Sequence, residues 1–220
     1  MSRLARYVTE CRSCPAEARI AWSNHGWHGG WDAFARRTLR KLLRRDRMIL
    51  FAQDLEDLPE MQPPDGVTIA RLLPLELPML TYLVSRRDLE DFRALLAAGR
   101  SAVVAWRDGR AVGYAWLAER LGPDVTRCPV PLPDTAAYVW DLYVLPAERS
   151  RGVGSALVAG RLALARELGY QEVWRMIAPY NLPSLRTLRT GGATRVVGEI
   201  RFLQMLGVMR ARFTPARLKV

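Results

Sequence analysis

Two arginines and two glycines lie close together between a predicted strand and a predicted helix, in the order Arg149-x-Arg151-Gly152-x-Gly154. Glycine lets the backbone approach a ligand, and the first N–H groups of a helix have no partner within the helix. Such groups, the helix dipole and arginine charge together suit a pyrophosphate. The pattern differs from a Walker nucleotide loop, and Leu157 stands where a dinucleotide fingerprint needs a third glycine. Two glycines could also simply form a tight turn.

The elements around this loop alternate between strand and helix patterns. Strands are predicted at 48–55, 67–72, 102–106, 111–117, 136–145 and 172–177, with one or two more between 194 and 213. Helices are predicted at 75–84, 89–98 and 154–168, and from about Asn181 onward. This intermixing predicts an α/β or α+β protein with a mixed sheet.

The N-terminal part of the chain carries an arginine-rich, amphipathic helix pattern over residues 31–45. We interpret residues 1–47 as a basic extension with this helix, followed by one domain over 48–220. An apolar stripe of this kind is typical of a helix that packs on a core. The helix could alternatively lie on an anionic membrane, or bind RNA or another anionic partner such as an acidic protein.

The loop, the strand before it and an asparagine downstream together resemble the acyl-CoA signature of the GNAT superfamily of N-acyltransferases. The matching residues are the DLYVLP strand at 141–146, Arg149-x-x-Gly152-x-Gly154, and Asn181 with Ser184 three positions later. The element order from about 48 to 213 agrees as well. The resemblance implies a mixed, mostly antiparallel central sheet with helices on both faces and a splayed central strand pair. It also implies acetyl-CoA, or another acyl-CoA, as co-substrate.

The same resemblance implies which residues contact the acyl-CoA. Backbone groups of the strand would hold the pantetheine arm and polarise the thioester carbonyl, namely those of Leu142, Tyr143 and Val144. The loop and the helix start would surround the pyrophosphate, with Arg149, Ser150, Arg151, Gly152, Val153, Gly154 and Ser155. Asn181 and Ser184 would contact the pantetheine side.

Asp141 is the candidate catalytic residue, because it is a lone carboxylate in an apolar strand at the implied splay. An amine must lose a proton to attack, so a base is useful there. Asp141 could instead be a paired structural carboxylate or face solvent. The family often has a tyrosine seven positions after the asparagine, as general acid. Leu188 stands at that position, so the general acid stays unassigned.

Two cysteines and both histidines of the chain form close pairs near the N-terminus, Cys11-x-x-Cys14 and His25-x-x-His28. These are ligand types that zinc prefers, although the spacing is not that of a standard zinc finger. We expect ordinary thiols and surface histidines, and no bound metal.

Composition excludes several classes of protein. Half of the 220 residues are hydrophobic and a quarter are charged, as in globular proteins. No apolar run reaches the length of a transmembrane helix, and the first residues lack the apolar core of a secretory signal. Three cysteines are too few for a disulfide framework. We therefore expect a cytoplasmic protein without a transmembrane segment.

The net charge of +11 is unevenly distributed along the chain. Residues 1–50 carry +7, residues 51–150 carry −5 and residues 151–220 carry +9. Composition alone does not choose between nucleic acid, lipid and a phosphorylated co-substrate as the anionic partner.

The sequence thus predicts an N-acyltransferase, in the simplest case an N-acetyltransferase. The acyl group would pass from CoA to a primary amine of a small molecule or peptide by direct attack. The alternative is a non-catalytic GNAT-like module that binds CoA or a partner. The acceptor, the acyl chain length and a homodimeric state are left open. We expect acceptor contacts around residues 75–98 and 196–207.

Overall fold

One eight-stranded sheet organises the part of the chain that the computed structural model describes, which is residues 43–56, 58, 61–122, 125–126, 129–190, 193–205 and 208–216. The strands are β1 (Leu43–Asp54), β2 (Val67–Arg71), β3 (Ser101–Arg107), β4 (Arg110–Ala118), β5 (Ala136–Val144), β6 (Glu172–Ile177), β7 (Thr194–Met205) and β8 (Val208–Pro215). The α-helices are α1 (Arg86–Ala97), α2 (Val153–Glu167) and α3 (Leu182–Arg186). Shorter 3-10 helices span Pro74–Tyr82, Pro146–Glu148 and Thr187–Thr190.

The sheet is mixed and mostly antiparallel. Its strand order is β2-β3-β4-β5-β6-β1-β7-β8. The pairs β2–β3, β3–β4, β4–β5 and β6–β1 are antiparallel, whereas β5 and β6 run parallel. The crossover between these two parallel strands contains α2, as a parallel connection requires. The predicted fold class is therefore confirmed.

Helices cover both faces of the sheet. On one face, α2 packs through Val153 and Leu157 against Val112 and Val144 of the central strands. On the other face, Phe92 of α1 packs edge-on against Trp116, which is fully buried in β4. We call these the α2 face and the α1 face of the sheet. A ligand between β5 and β6 would therefore lie between two apolar layers.

The two parallel strands β5 and β6 separate after a short paired stretch. Their register runs only from Ala136 opposite Glu172 to Tyr138 opposite Trp174. Beyond this point β5 continues to Val144 and β6 to Ile177. The remaining halves diverge into a gap, which we call the β5–β6 cleft. The predicted splayed strand pair is thus present in the structure.

The chain divides into two compact units. The larger unit combines Arg47–Arg201 with Ala211–Val220 and contains every residue of the candidate active site. The smaller unit combines Met1–Asp46 with Phe202–Arg210. Its described residues belong to strands. The domain boundary between residues 47 and 48 stays a prediction.

The amphipathic helix predicted for residues 31–45 lies mostly outside the described residues, and its last three residues were wrongly assigned. Residues 43–45 belong to the twelve-residue strand β1. That strand lies between β6 and β7, and its residues 49–54 pair with β6. Sheet pairing therefore outweighs the local helical spacing of the leucines.

The segment predicted as a helix at 75–84 is a 3-10 helix from Pro74 to Tyr82. Pro78 lies inside it and cannot donate a backbone hydrogen bond, which disfavours a regular α-helix. None of the helices that the structure describes has the length and apolar character needed to cross a bilayer.

Candidate active site

The loop after β5 ends in a helix N-terminus that no side chain caps. Gly152 is the N-cap residue of α2 and has a left-handed backbone, with φ of +84°. The first bond of the helix runs from the Ala156 N–H to the Gly152 carbonyl, at 3.0 Å. The N–H groups of Val153, Gly154 and Ser155 precede that bond and have no partner within the helix. This arrangement suits an anion, because donors and helix dipole point in the same direction.

The two glycines of this loop serve different purposes. At Gly152 the positive φ disfavours any side chain, and an added Cβ would also lie 3.0 Å from Cγ of Pro64. At Gly154 an added Cβ would make only an ordinary contact, 3.8 Å from Cγ2 of Val144. Packing within the described residues does not explain a glycine at position 154. Close approach of a ligand to the backbone would explain it.

Arginine side chains fix the loop and give it positive charge. Nε of Arg149 donates to the carbonyl of Val144 at 3.1 Å, and its guanidinium lies 5.9 Å from the ring centroid of Tyr143. Arg151 is 63% exposed, with Nη1 4.0 Å from Glu148. Glu148 also pairs with Arg107 at 3.3 Å. Arg149 thus ties the loop to the end of β5, whereas Arg151 lies mostly in solvent.

Backbone groups at the end of β5 alternate in direction. The Leu145 N–H donates to the carbonyl of Val112 in β4, at 2.9 Å. In an antiparallel pair this direction alternates, so the backbone groups of Tyr143 face β4. Those of Leu142 and Val144 face the β5–β6 cleft. Of the three predicted pantetheine contacts, these two have polar backbone groups directed toward the cleft.

Asp141 is the extra residue of a β-bulge. The β4–β5 register pairs Trp116 with Trp140 and Ala115 with Leu142, so Asp141 has no partner of its own. Its φ is +40°, which is unusual for a residue with a side chain and typical of functional sites. The bulge changes the alternation of β5, because Trp140 and Tyr143 both contribute to the core on the α1 face.

The Asp141 residue is partly exposed, and its carboxylate interacts with groups from three other elements. Partial burial raises its pKa above the usual aspartate value, and repulsion by Asp88 acts in the same direction. A hydrogen bond from the Tyr114 hydroxyl and the charge of Arg161 oppose this effect. Burial and the Asp141 carboxylate also raise the pKa of Tyr114, so its hydroxyl keeps the proton. A carboxylate with a raised pKa is a better proton acceptor than an ordinary one.

The start of α1 holds Asp88 close to this carboxylate. Ser85 and Asp88 form a reciprocal cap: the Ser85 N–H donates to Oδ2 of Asp88 at 3.1 Å, and the Asp88 N–H donates to Oγ of Ser85 at 3.3 Å. The α1 face beside Asp141 therefore carries two carboxylates, and Tyr143 stacks on Tyr114 with centroids 5.8 Å apart. An acidic, aromatic surface of this kind suits a cationic amine.

Asn181 caps α3, and Leu188 follows in the next 3-10 helix. Oδ1 of Asn181 accepts from the Ser184 N–H at 3.3 Å, so both residues already have a structural role. The carbonyl of Leu188 accepts from Nε2 of the buried Gln53 at 3.4 Å. Because β5 and β6 are parallel, Asn181 and the 149–155 loop both follow the carboxyl ends of the diverging strands.

Sequence reasoning missed Tyr114, Asp88 and Arg161. Tyr114 is one of several aromatic residues in β4, and nothing in its spacing distinguishes it. Asp88 reads as an ordinary capping residue. Arg161 could have been recognised from the sequence, since it is the arginine in the middle of the otherwise apolar stretch SALVAGRLALA. The residues that were weighed as zinc ligands, Cys11, Cys14, His25 and His28, lie outside the described residues, and among the residues described no cluster of metal ligands occurs.

A cavity of about 540 Å³ lies between the 3-10 helix Pro74–Tyr82 and α1, within the segment predicted to contact the acceptor. Its lining includes Leu77, Thr81, Leu89 and Arg93. Asp141 is not among the residues that line it. This cavity therefore does not by itself define an acceptor site.

Comparison with known proteins identifies relatives of this chain. A family model described as the acetyltransferase (GNAT) family matches residues 69–191. A mycothiol acetyltransferase of Thermomonospora curvata is 27% identical over 193 residues, covering 80% of this chain and 61% of that protein. A mycothiol acetyltransferase of Sanguibacter keddieii is 30% identical over 103 residues, covering 46% of this chain and 30% of that protein. The chain thus spans less than two thirds of both curated relatives.

Solved structures share the fold at low sequence identity. A Drosophila protein superposes with a TM-score of 0.55 at 14% identity, covering 80% of this chain and 56% of that chain. The glucosamine N-acetyltransferase region of a fungal β-N-acetylglucosaminidase superposes with a TM-score of 0.54 at 18% identity. That match covers 79% of this chain and 22% of the fungal chain.

Proposed function

This chain belongs to the GNAT acetyltransferase family, and we propose that it transfers an acetyl group from acetyl-CoA to a primary amine. One observation carries the proposal. At the point where β5 and β6 diverge, two backbone N–H groups of β5 face the cleft, an uncapped helix N-terminus follows β5, and a carboxylate of raised pKa lies on the α1 face. Electrophile and base can then approach one reacting centre from opposite sides.

The α2 face of the β5–β6 cleft would hold the acetyl-CoA. The N–H groups of Val153, Gly154 and Ser155 would donate to the pyrophosphate, with Arg151 as the nearby charge. The backbone of Val144 and Leu142 would bind the pantetheine arm. The Leu142 N–H would donate to the thioester carbonyl oxygen, where negative charge develops during attack. Asn181 and Ser184 would contact the arm from the next strand.

The amine would bind on the α1 face, beside Asp141. Its nitrogen forms a bond to the thioester carbonyl carbon while the carbon–sulfur bond breaks. Asp141 accepts the proton that the ammonium group must lose before attack and passes it on to water, and Tyr114 holds the carboxylate in place. The nitrogen loses its second proton as the new bond forms, and this proton passes through water to the thiolate of CoA. The thiolate can leave without a dedicated donor, since its conjugate acid is acidic enough. The products are an acetylated amine and free CoA.

The acceptor would be a small cationic amine. The carboxylates of Asp88 and Asp141 provide negative charge at the α1 face, and the stacked rings of Tyr114 and Tyr143 provide a flat apolar surface. Both curated relatives are named mycothiol acetyltransferases, which supports a small-molecule acceptor rather than a protein.

A CoA-binding module without catalysis is the second candidate function. It is favoured by Leu188 at the position where the family often has an acid, because the leucine side chain has no proton to give. The 149–155 loop would be the same in both cases. Only turnover distinguishes the two functions.

A thermal-shift and turnover screen tests the proposal. Acetyl-CoA and CoA should each raise the melting temperature, because a ligand that binds only the folded state stabilises it. At least one member of a library of primary amines should then release free thiol from acetyl-CoA. Thermal shifts without thiol release across the library would instead support the non-catalytic module. Absence of both effects would contradict CoA binding itself.

A further inference from the structure

A buried guanidinium lies beneath the bulge that carries Asp141. Arg161 is in the middle of α2 and is only 4% exposed, among apolar residues of the same helix such as Leu157 and Leu162. A charge in such a place is costly unless it is well hydrogen-bonded, and ordinary packing would favour leucine there. The position of this arginine therefore calls for a specific role.

The guanidinium bonds both strands at the bulge. Nη1 of Arg161 donates to the carbonyl of Trp140 in β5 at 3.0 Å and to the carbonyl of Trp116 in β4 at 3.3 Å. Trp116 and Trp140 are register partners, and theirs is the last pair before the extra residue Asp141. A bulge interrupts the ladder at this point, and a buried carbonyl without a donor would destabilise it. Arg161 supplies that donor to both strands.

The location of the bulge decides where the proposed reacting groups point. With the extra residue at 141, the Leu142 backbone faces the β5–β6 cleft, while Asp141 faces Tyr114 on the α1 face. If the irregularity moved along β5 or the strands regained a regular ladder, the alternation of β5 would change. The Leu142 N–H and the Asp141 carboxylate would then no longer both face the reacting centre.

We propose that Arg161 is a positioning residue for acetyl transfer, which holds the β5 bulge at Asp141 through the carbonyls of Trp116 and Trp140. The inference rests on the function proposed above. Arg161 does not touch substrate; it acts through the backbone on which the base and the oxyanion donor lie. Sub-ångström changes in the position of such groups strongly affect rates.

Arg161 also acts on Asp141 through its charge. The groups that face the Asp141 carboxylate are Tyr114 from β4, Asp88 from α1 and Arg161 from α2. Arg161 favours the ionised carboxylate, whereas Asp88 and burial oppose ionisation. Removing the guanidinium charge should therefore raise the pKa of Asp141. The variants below separate this effect from the positioning effect.

Steady-state kinetics of two variants test the proposal, with Arg166→Gln as the control for loss of a positive charge from the same helix. Arg166 is exposed and lies five residues further along α2. Arg161→Gln should lower kcat by about tenfold or more while the KM for acetyl-CoA stays within twofold of wild type. The acidic limb of its kcat profile should move to higher pH. Arg161→Lys keeps the charge without the planar fork. Arg161→Lys should lower kcat by a smaller factor, about threefold or more. The acidic limb of its kcat profile should stay at the same pH as in wild type.

Two outcomes overturn the proposal. One is a kcat within twofold of wild type in either folded variant. The other is a parallel loss of kcat and acetyl-CoA affinity, which would indicate a general fold defect. If Arg161→Gln does not fold at the assay temperature, Arg161→Lys alone decides by the same criterion.

A measurement that does not need turnover keeps the inference separate from the proposed function. The Asp141 carboxyl can be titrated by NMR in the full-length protein, wild type and variants. Loss of the Arg161 charge should raise the pKa of Asp141. An unchanged titration of Asp141 would overturn the electrostatic effect of Arg161.

If wild type transfers acetyl to no amine, the proposed function fails. The exchange rate of the Leu142 amide then tests the bulge: we expect it to change by tenfold or more in Arg161→Gln, and an unchanged rate overturns the positioning role.

Discussion

At the scale of single residues, Asp141 combines features that do not serve stability. It has a positive φ, it interrupts a central ladder, and its carboxylate has a raised pKa because of partial burial and the nearby Asp88. Backbone strain and unfavourable electrostatics at one position are typical of functional sites rather than of structural ones.

This electrostatic penalty predicts how stability depends on pH. A carboxyl group whose pKa is higher in the folded protein binds more protons there than in the unfolded chain. Stability therefore falls as pH rises from the usual aspartate pKa, roughly 4, through the raised value of Asp141. Asp141→Asn removes the penalty, so we expect it to melt higher than wild type at pH 7 and equally near pH 3.

Melting temperatures of both proteins between pH 3 and pH 8 check this expectation. Asp134→Asn is the control, because it removes one exposed negative charge just before β5. A lower melting temperature of Asp141→Asn at pH 7 would show that Asp141 stabilises the fold, contrary to the proposal.

The candidate residues differ in how far the sequence could identify them. The 149–155 loop could be predicted, because two closely spaced glycines before a helix allow the left-handed backbone and close ligand approach that a phosphate loop needs. The role of Asp141 could be proposed from a lone carboxylate in an apolar strand. Its bulge could not, since the bulge depends on the register with β4. Asp88 and Tyr114 reach Asp141 from other elements, and a single sequence does not reveal such contacts.

At the scale of elements, the N-terminus of α2 is the proposed site of the phosphate contacts. Gly152→Asp adds a negative charge at this point, which would repel the pyrophosphate and occupy its space. We expect the thermal shift produced by CoA to disappear almost entirely. The control is Gly169→Asp, which follows the other end of the same helix, has a similarly positive φ of +89° and meets nothing within 4 Å.

Thermal shift assays with CoA on wild type and both variants measure this effect. Gly169→Asp should lose stability through backbone strain but keep the CoA shift. An unchanged shift in Gly152→Asp would place the co-substrate elsewhere on the molecule.

Close packing between β4 and β5 at Gly113 allows a second test of CoA binding by a glycine substitution. An added Cβ at Gly113 would lie 2.7 Å from the carbonyl oxygen of Tyr143 and 2.9 Å from Cδ1 of Leu157. Gly113→Ala should therefore push β5 or α2 outward, which would cost roughly 1–3 kcal/mol of stability and weaken CoA binding.

Gly154→Ala provides the matched comparison. Its added Cβ makes only an ordinary contact, and alanine favours helix, so stability should be kept while CoA binding weakens. Chemical denaturation and CoA titration of both variants separate the two effects. Full stability of Gly113→Ala would show that the strands at this point have more room than the structure indicates.

Elements were predictable where periodicity and turn residues agree. The hairpin from β3 to β4, helix α2 and strand β6 follow patterns that are strong locally. The start of β1 was wrongly assigned to a helix, because leucines and arginines at helical spacing predict one while neighbouring strands favour the sheet. The divergence of β5 from β6 could be predicted only from the family resemblance. Neither strand shows it in its own sequence.

At the scale of the whole molecule, the proposed amine site lies in the acidic middle of the sequence, whereas most of the proposed co-substrate site lies in the basic part after it. Residues 51–150 carry −5, whereas the segments on either side carry +7 and +9. The acidic middle includes Asp88 and Asp141, beside the proposed amine site. The basic excess near residues 1–50 belongs to the part predicted as an extension, for which RNA and anionic membranes remain alternative partners.

Metal content is the measurement that concerns this N-terminal part. We expect purified full-length protein to contain no stoichiometric zinc, because the spacing of Cys11, Cys14, His25 and His28 matches no standard finger. Elemental analysis by mass spectrometry checks this. About one zinc per chain, lost in a Cys11→Ser and Cys14→Ser double variant, would contradict the expectation and give residues 1–47 a structural metal site.

The most direct test of the central claim compares acetyl transfer by wild type and Asp141→Asn with an accepted amine at saturating acetyl-CoA. The variant keeps the shape of the side chain but cannot take up the proton. We expect its kcat to fall by roughly 10²–10⁴, with unchanged acetyl-CoA affinity and partial recovery at higher pH, where more of the amine is already neutral. A kcat equal to that of wild type at pH 7 would contradict the account, because Asp141 would then not be the base.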